Sequence, residues 1–266
     1  MARPPTLSFD RGTLLLHPPP PGKAWIDYVT WDDRVERFRL LALHYRRLVE
    51  ALRAEGIGLV DHAPAFGPLP LIPALEMPPY PHQRAAMTAW LAAGRQGVIV
   101  LPTGAGKTYL AQLIMQDTQQ NTLIVVPTLD LMHQWYAHLL AAFPDAPVGL
   151  LGGGSHDRTP LLVATYDSAA IQAEALGNHY ALLIFDECHH LPSAFTRVIA
   201  EYSMAPYRLG LTATPERSDG THADLPTLIG PEVYRISVSA LSGTVLAPHR
   251  VGTPHRQALS TRAPAL

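Results

Sequence analysis

The hydrophobic pattern divides the chain into a proline-punctuated first part and a longer stretch in which apolar runs alternate with amphipathic segments. Residues 6–16 alternate about Asp10-Arg11-Gly12 and predict a short hairpin, and residues 24–40 predict further strand. Leu41, Tyr45, Leu48, Val49 and Leu52 then recur at helical spacing, with Gly56 placed to end the helix and residues 57–60 able to return as a strand. After Pro81 the apolar runs at 97–101, 122–126, 161–164, 181–185 and 207–211 read as buried parallel strands. Between them, Leu131, Trp135, Leu139 and Phe143 mark one helix and Phe195, Val198, Ile199 and Tyr202 another. Repeated strand–helix units predict an α/β fold with a parallel sheet covered by helices on both faces. Ligands of such sheets bind at the carboxyl ends of the strands.

Proline sharpens this division, because half of the 26 prolines fall at or before Pro81, in two groups. The expected organisation is a small α/β domain over 1–62, a proline-rich linker over 63–79, a large α/β domain over 80–251 and an unstructured tail over 252–266. The 266 residues are 47% hydrophobic and 16% charged, enough to bury a core and too few charges for a disordered chain. One cysteine, Cys188, excludes an internal disulfide, and no signal peptide or long apolar run occurs, so a soluble cytoplasmic protein with no membrane partner is expected. A formal net charge of -2 argues against holding nucleic acid by positive field alone.

Directly after the apolar run at 97–101 comes Pro102-Thr103-Gly104-Ala105-Gly106-Lys107-Thr108, followed by a helix rich in Leu, Ile and Met. Small residues at Thr103, Gly104, Ala105 and Gly106 let main-chain N–H groups turn onto phosphate oxygens at a helix N-terminus. Lys107 then reaches the β and γ phosphates, and Thr108 is placed to ligate Mg²⁺. The strict GxxxxGK[ST] pattern has Gly where Leu101 stands, so the match is incomplete.

At the end of a second apolar run sit Asp186, Glu187, Cys188, His189 and His190. Two adjacent carboxylates at a strand tip suit a divided task, Asp186 holding Mg²⁺ and Glu187 orienting or deprotonating the water that attacks the γ-phosphate. One Cys and two adjacent His lack the spacing of a zinc site. Farther on, Thr212-Ala213-Thr214-Pro215 ends another apolar run with two hydroxyls at its tip.

Taken together and in this order, these residues resemble the first motor domain of superfamily 2 helicases, in the XPB-like branch. The phosphate loop resembles motif I, Asp186 to His189 the DExH box, and Thr212-Ala213-Thr214 motif III. The resemblance implies a RecA-like lobe that binds ATP and Mg²⁺, with His189, Thr212 and Thr214 coupling the γ-phosphate to nucleic acid. Tyr80-Pro81-His82-Gln83 resembles the family's adenine-reading element, which assigns adenine to Gln83, although Tyr80 replaces the usual Arg. Thr128-Leu129-Asp130-Leu131 is similar to motif Ia, and residues 164–169 to the next strand-contacting motif. Arg217-Ser218-Asp219 stands where relatives carry Arg-Glu-Asp, an element linked to strand opening, with Ser218 breaking the pattern. Residues 228–231 and 246–248 are similar to the family's exit from this domain. The first sixty residues occupy the place of a module proposed to inspect distorted DNA.

A near-neutral lobe of this kind grips the sugar–phosphate backbone through main-chain N–H groups, hydroxyls and helix N-termini. Thr128, Gly153, Thr165 and Tyr166 are the candidates, with Arg217 beside them. Trp135 could stack on a base, but its spacing from Leu131 and Leu139 puts it on an apolar helix face and favours the core. No Gln-x-x-Gly-Arg-x-x-Arg element occurs, and fifteen residues follow Val251. The sequence is therefore expected to be the N-terminal portion of such a helicase, lacking by truncation, frameshift or gene splitting the second lobe that supplies arginine fingers. It is expected to bind ATP weakly and hydrolyse it very slowly, with a role in DNA repair implied by the resemblance. Two other readings stay open: a single-lobe module that binds nucleic acid or a partner, such as a separate second lobe or a nuclease, and a lobe of a restriction-type translocase or RNA-directed helicase.

Overall fold

The structure, a computed structural model, describes residues 4–23, 25–214, 221–237 and 239–240. Strands β1 (Thr6–Asp10) and β2 (Thr13–His17) form the expected hairpin. Its two-residue connection takes φ of 50° at Arg11 and 80° at Gly12, the left-handed pair that suits a tight hairpin turn. The further strand expected over 24–40 is a 3-10 turn at Ile26–Tyr28 followed by β3 (Thr30–Asp32) and β4 (Arg37–Leu41), a second hairpin. Asp32 turns the chain between them by accepting from the main-chain N–H and guanidinium of Arg34. Helix α1 (Tyr45–Ala54) buries Leu48 and Leu52 and stops before Gly56, whose φ is 70°. The returning strand β5 (Val60–Asp61) is shorter than residues 57–60 suggested and pairs parallel to β1. The resulting sheet has the order β3-β4-β2-β1-β5.

The proline-rich segment expected to be a linker is laid along the large unit. Leu69 N–H donates to Gln119 O at 2.8 Å and Ala74 N–H to Ala142 O at 2.8 Å, while Leu69 and Leu71 join that unit's core.

The large unit runs α2 (Pro81–Ala92), β6 (Gln96–Val100), α3 (Lys107–Thr118), β7 (Thr122–Val126), α4 (Leu129–Ala142), β8 (Val148–Gly152), β9 (Ser155–His156) and β10 (Leu161–Thr165). It continues through α5 (Tyr166–Ile171), α6 (Ala173–Leu176), β11 (Leu182–Asp186), α7 (Val198–Glu201), β12 (Tyr207–Thr212), α8 (Leu225–Leu228) and β13 (Glu232–Arg235). The sheet order is β13-β6-β12-β11-β7-β10-β8-β9, parallel except for β9. Every residue of β7, β10 and β11 is buried, which is why their sequences are continuous apolar runs with no polar face.

The helix expected over 195–202 shrinks to the single turn α7. Thr196 N–H donates to Ser193 Oγ at 3.1 Å and Thr196 Oγ1 donates to the carbonyls of His190 and Leu191, bonds that compete with a regular helix. Phe195, expected on its buried face, is about half exposed.

The two units meet directly. Met204 enters the core of the small unit, Arg46 donates to the carbonyls of Gly94 and Pro206, and Asn178 Nδ2 donates to Ala63 O. The expected tail over 252–266 and residues 246–248 lie outside the described residues.

Candidate active site

Parallel pairing in register brings three strand tips together. Thr212 stands opposite Val100, and Asp186 opposite Leu211, so the loops after β6, β12 and β11 open side by side. Leu101, where the strict phosphate-loop pattern has Gly, is fully buried in the core, and its N–H is tied to Thr212 O at 3.0 Å.

In the phosphate loop, Gly104 and Gly106 both have φ near 80°. A Cβ at Gly104 would meet nothing within 4 Å, while one at Gly106 would lie 2.4 Å from Gln83 Nε2. Small residues are thus required for backbone conformation at the first position and for conformation and space at the second. Thr103 and Gly104 are exposed, Ala105 is buried, and Lys107 and Thr108 open α3 half-buried.

Lys107 Nζ lies 3.0 Å from Glu187 Oε1. Glu187 Oε2 accepts from Thr212 Oγ1 at 3.2 Å, and His189 Nδ1 is 3.1 Å from the same hydroxyl. Thr214 N–H also donates to Thr212 Oγ1 at 3.1 Å. Lys107, Glu187, His189 and the Thr212 hydroxyl therefore form one connected network, which Thr214 joins through its main chain. Glu187 takes φ of 47°, a left-handed conformation that costs a non-glycine residue about 1 kcal/mol. This turn sends neighbouring carboxylates apart, Glu187 toward Lys107 and Asp186 back into the lobe.

Asp186 is buried. Its Oδ2 accepts from Trp135 Nε1 at 2.8 Å, its Oδ1 from Glu187 N–H at 3.1 Å, and its main-chain oxygen from Tyr166 hydroxyl at 3.1 Å. Burial raises the Asp186 carboxyl above its ordinary value, against the opposing pull of the Trp135 hydrogen bond. Burial pushes Glu187 up too, but Lys107 outweighs it by hydrogen bond and charge, leaving Glu187 below its ordinary value. The pair is thus split, the outer carboxylate the more acidic.

Two candidate side chains are engaged within the lobe. Gln83 is 1% exposed, its Oε1 accepting from Tyr80 N–H at 2.9 Å and its Nε2 donating to Gly106 O at 3.2 Å. The carboxamide that the resemblance assigns to adenine secures the phosphate loop here, and His82 Nε2 supports it 2.8 Å from Ala105 O. Tyr166, a candidate strand contact, is 4% exposed with its hydroxyl on the main-chain oxygen of Asp186.

The remaining candidates converge at the tips of β7, β8 and β10. Thr128 is exposed and caps α4 by accepting from Leu131 N–H at 3.2 Å. Gly153 is exposed with φ of 59°, and a Cβ there would lie 3.0 Å from Leu129 Cδ2. Thr165 is nearly buried, its Oγ1 accepting from Ser168 N–H at 3.3 Å. Arg217 lies outside the described residues.

Sequence reasoning placed Trp135 in the core correctly but missed its bond to Asp186, fifty-one positions away. The available signal was chemical, since a buried indole N–H needs an acceptor. No group of three or more His, Cys, Asp or Glu able to hold a metal ion occurs among the described residues. Thr108 and Asp186 carry oxygen donors of the kind taken by Mg²⁺, a hard cation bound by few protein oxygens and completed by phosphate and water. Among the described residues no helix is long and apolar enough to cross a membrane.

A parallel sheet whose adjacent strand tips carry a phosphate loop, an acidic pair and a hydroxyl pair defines the P-loop ATPase lobe of a helicase-like motor. The chain belongs to the XPB-like superfamily 2 helicases: the family described as type III restriction enzyme, res subunit, matches residues 76–217, more than half of its length. The xeroderma pigmentosum group B helicase damage recognition domain matches residues 7–63. The chain is 42% identical over 246 residues to the DNA 3'-5' translocase XPB2 of Sulfurisphaera tokodaii, covering 92% of this chain and 54% of that one. It is 34% identical over 163 residues to the DNA 3'-5' helicase XPB of Mycobacterium tuberculosis, covering 58% and 29% respectively. The chain therefore spans about half the length of the first relative and under a third of the second. The crystal structure of the UvsW helicase from bacteriophage T4 shares the fold with a TM-score of 0.54 and 16% identity, covering 87% of this chain and all of that one.

Proposed function

We propose that this chain is the ATP-binding lobe of an XPB-like DNA translocase or helicase, in which ATP hydrolysis is coupled to movement on DNA, with a role in DNA repair in the cytoplasm. The observation that carries this reading is the continuous contact from Lys107 through Glu187 to Thr212 and His189 across three adjacent strand tips.

In this reading the amides of Thr103 to Gly106 and the ammonium of Lys107 bind the triphosphate, with Gln83 and His82 bracing the loop from behind. Thr108 and Asp186 would hold Mg²⁺, which would neutralise charge on the phosphate oxygens. Glu187 is released from Lys107 as phosphate takes its place, and its ionised carboxylate orients the attacking water and receives its proton. Thr212, bonded to both Glu187 and His189, registers that exchange, and Thr214 is tied to it through the main chain. Thr128, Gly153, Thr165 and, beyond the described residues, Arg217 hold the nucleic-acid backbone with little need of net positive charge.

Turnover by a polypeptide of these 266 residues is expected to be slow, because an arginine finger is typically worth about 10³ to 10⁵ in rate and the sequence carries no Gln-x-x-Gly-Arg-x-x-Arg element. The test is equilibrium binding of a fluorescent ATP analogue with and without Mg²⁺, in wild type and Lys107→Ala. Mg²⁺-dependent binding lost in the variant supports the reading. Nucleotide binding indifferent to Lys107, or DNA binding with no nucleotide site at all, favours the single-lobe binding module.

A further inference from the structure

Asp186 is gripped from two directions by the two segments that carry the candidate strand contacts. Trp135, 2% exposed, donates its indole N–H to Asp186 Oδ2 at 2.8 Å. It sits on α4, whose exposed cap is Thr128, two turns or about 10 Å up the helix axis. Tyr166, next to Thr165, donates its hydroxyl to the main-chain oxygen of Asp186 at 3.1 Å. One residue thus has its carboxylate tied to one strand-facing segment and its peptide group tied to another. The other end of that peptide group is the N–H of Glu187.

Packing alone does not require these polar handles. Phenylalanine rings would fill most of the same space, and a buried N–H or O–H is costly unless satisfied. Among the described residues each bond is the one hydrogen bond of its side chain, and both end on the same residue, the one placed to hold Mg²⁺.

We propose that Trp135 and Tyr166 are positioning residues that couple nucleic-acid binding to magnesium–nucleotide binding, Trp135 by orienting the Asp186 carboxylate and Tyr166 by setting the Asp186–Glu187 peptide. The inference rests on the proposed function above. A strand seated at Thr128 shifts α4 as a rigid body, and the indole transmits that shift to the carboxylate. A strand at Thr165 acts through Tyr166 on the turn that aims Glu187. Coupling of this kind is reciprocal, so nucleotide must tighten or loosen DNA by the same factor that DNA changes nucleotide.

The test is a thermodynamic cycle on the full chain. The affinity for a non-hydrolysable ATP analogue with Mg²⁺ is measured with and without saturating single-stranded oligonucleotide, in wild type, Trp135→Phe and Tyr166→Phe. Wild type is expected to show a coupling factor of about fivefold or more, and each variant a factor below about twofold. General loosening of the lobe weakens both affinities in parallel and leaves the ratio unchanged, so the ratio separates positioning from mere packing. Tyr166→Phe removes a single oxygen and keeps the test decisive if Trp135→Phe does not fold. Unchanged coupling in the variants, or no coupling in a wild type that binds both ligands, overturns this inference alone. A wild type that binds neither Mg²⁺–nucleotide nor DNA overturns the proposed function and this inference with it.

Discussion

Lys107 and Glu187 are each other's partners, Nζ to Oε1 at 3.0 Å, so the cation placed to hold phosphate and the carboxylate placed to act on water neutralise one another across the mouth of the site. Both side chains are mostly buried, 14% and 27% exposed, and such a pair contributes about 1 kcal/mol. Removing Lys107 and removing Glu187 should therefore have opposite effects on nucleotide affinity. Lys107→Ala is expected to weaken binding of Mg²⁺–ATP by at least about a hundredfold, since a charge-assisted contact to phosphate is lost. Glu187→Gln should leave affinity unchanged or tighten it by up to about fivefold, because Lys107 no longer has to be released, while hydrolysis falls. Calorimetric titration of both variants decides, and comparable weakening in the two would show that the pair does not compete with nucleotide.

Arg208 is 2% exposed and, among the described residues, has no carboxylate partner. Its guanidinium instead donates to the carbonyls of Ala200, Ser203, Ala205 and Leu228. Burial, reinforced by Arg47, pushes its pKa down to about 9. Replacing a buried charge by an apolar residue of similar volume is sometimes stabilising. Here four buried carbonyls are left behind, each costing about 1 kcal/mol, so the loss dominates. Arg208→Met is expected to destabilise the chain by about 3 kcal/mol or more, read from urea unfolding. Arg208→Lys should rescue little of this, since one ammonium cannot reach carbonyls spread over a planar fork.

The strands of the sheet centre were legible because burial on both faces writes itself as unbroken apolar sequence, as in Thr122–Val126. Strand β8 was not, because Val148-Gly149-Leu150-Leu151-Gly152 reads as a turn when glycine interrupts it. Gly149 is needed there because a Cβ would meet Thr159 Oγ1 at 2.4 Å. Edge strand β13, Glu232–Arg235, has no apolar run at all. Within the site, Lys107, Asp186, Glu187 and Thr212 could be found by type and spacing because each lies at or soon after the end of an apolar strand. The bonds from Trp135 and Tyr166 to Asp186, and the inward use of Gln83, depend on which helices pack over which strand tips, a relation that no local spacing encodes.

The seam between the two units has no spare volume at Gly177. A Cβ there would stand 2.0 Å from the main-chain oxygen of Tyr202 and 2.7 Å from the ring of Phe9 in β1. A side chain could rotate away, but the Tyr202 carbonyl cannot. Gly177→Ala is therefore expected to cost about 2 kcal/mol by overpacking, equivalent to about 4–8 °C in Tm for a chain of this size. The transition should also broaden or split, as the small unit loses its seat on the lobe. Gly58→Ala, where a Cβ meets nothing within 4 Å, is the matched control and should change Tm by no more than about 2 °C. Differential scanning calorimetry of the two variants checks both expectations, and equal Tm values would mean that the seam yields freely.

His44 gives the same seam a pH dependence. Its Nδ1 is buried without a hydrogen-bond partner among the described residues, and its ring lies 5.7 Å from that of Tyr28. Burial, then the positive charges of Arg47 and Arg208, lower its pKa from the ordinary 6.5. His179 is lowered in the same direction by burial and Arg158. With the folded value below the unfolded one, the unfolded chain takes up more protons as pH falls through 6.5. The stability present above that pH is therefore lost on acidification. The depressed carboxylate of Glu187 acts in the same direction but in a lower window, below its ordinary 4.5, so the two can be separated. Urea midpoints should fall between pH 7.5 and pH 5.5 in wild type. They should fall less in His44→Phe and least in His44→Phe combined with His179→Phe. A wild-type midpoint that is flat over this interval, or variants with the wild-type slope, would show that neither imidazole is held neutral by the fold.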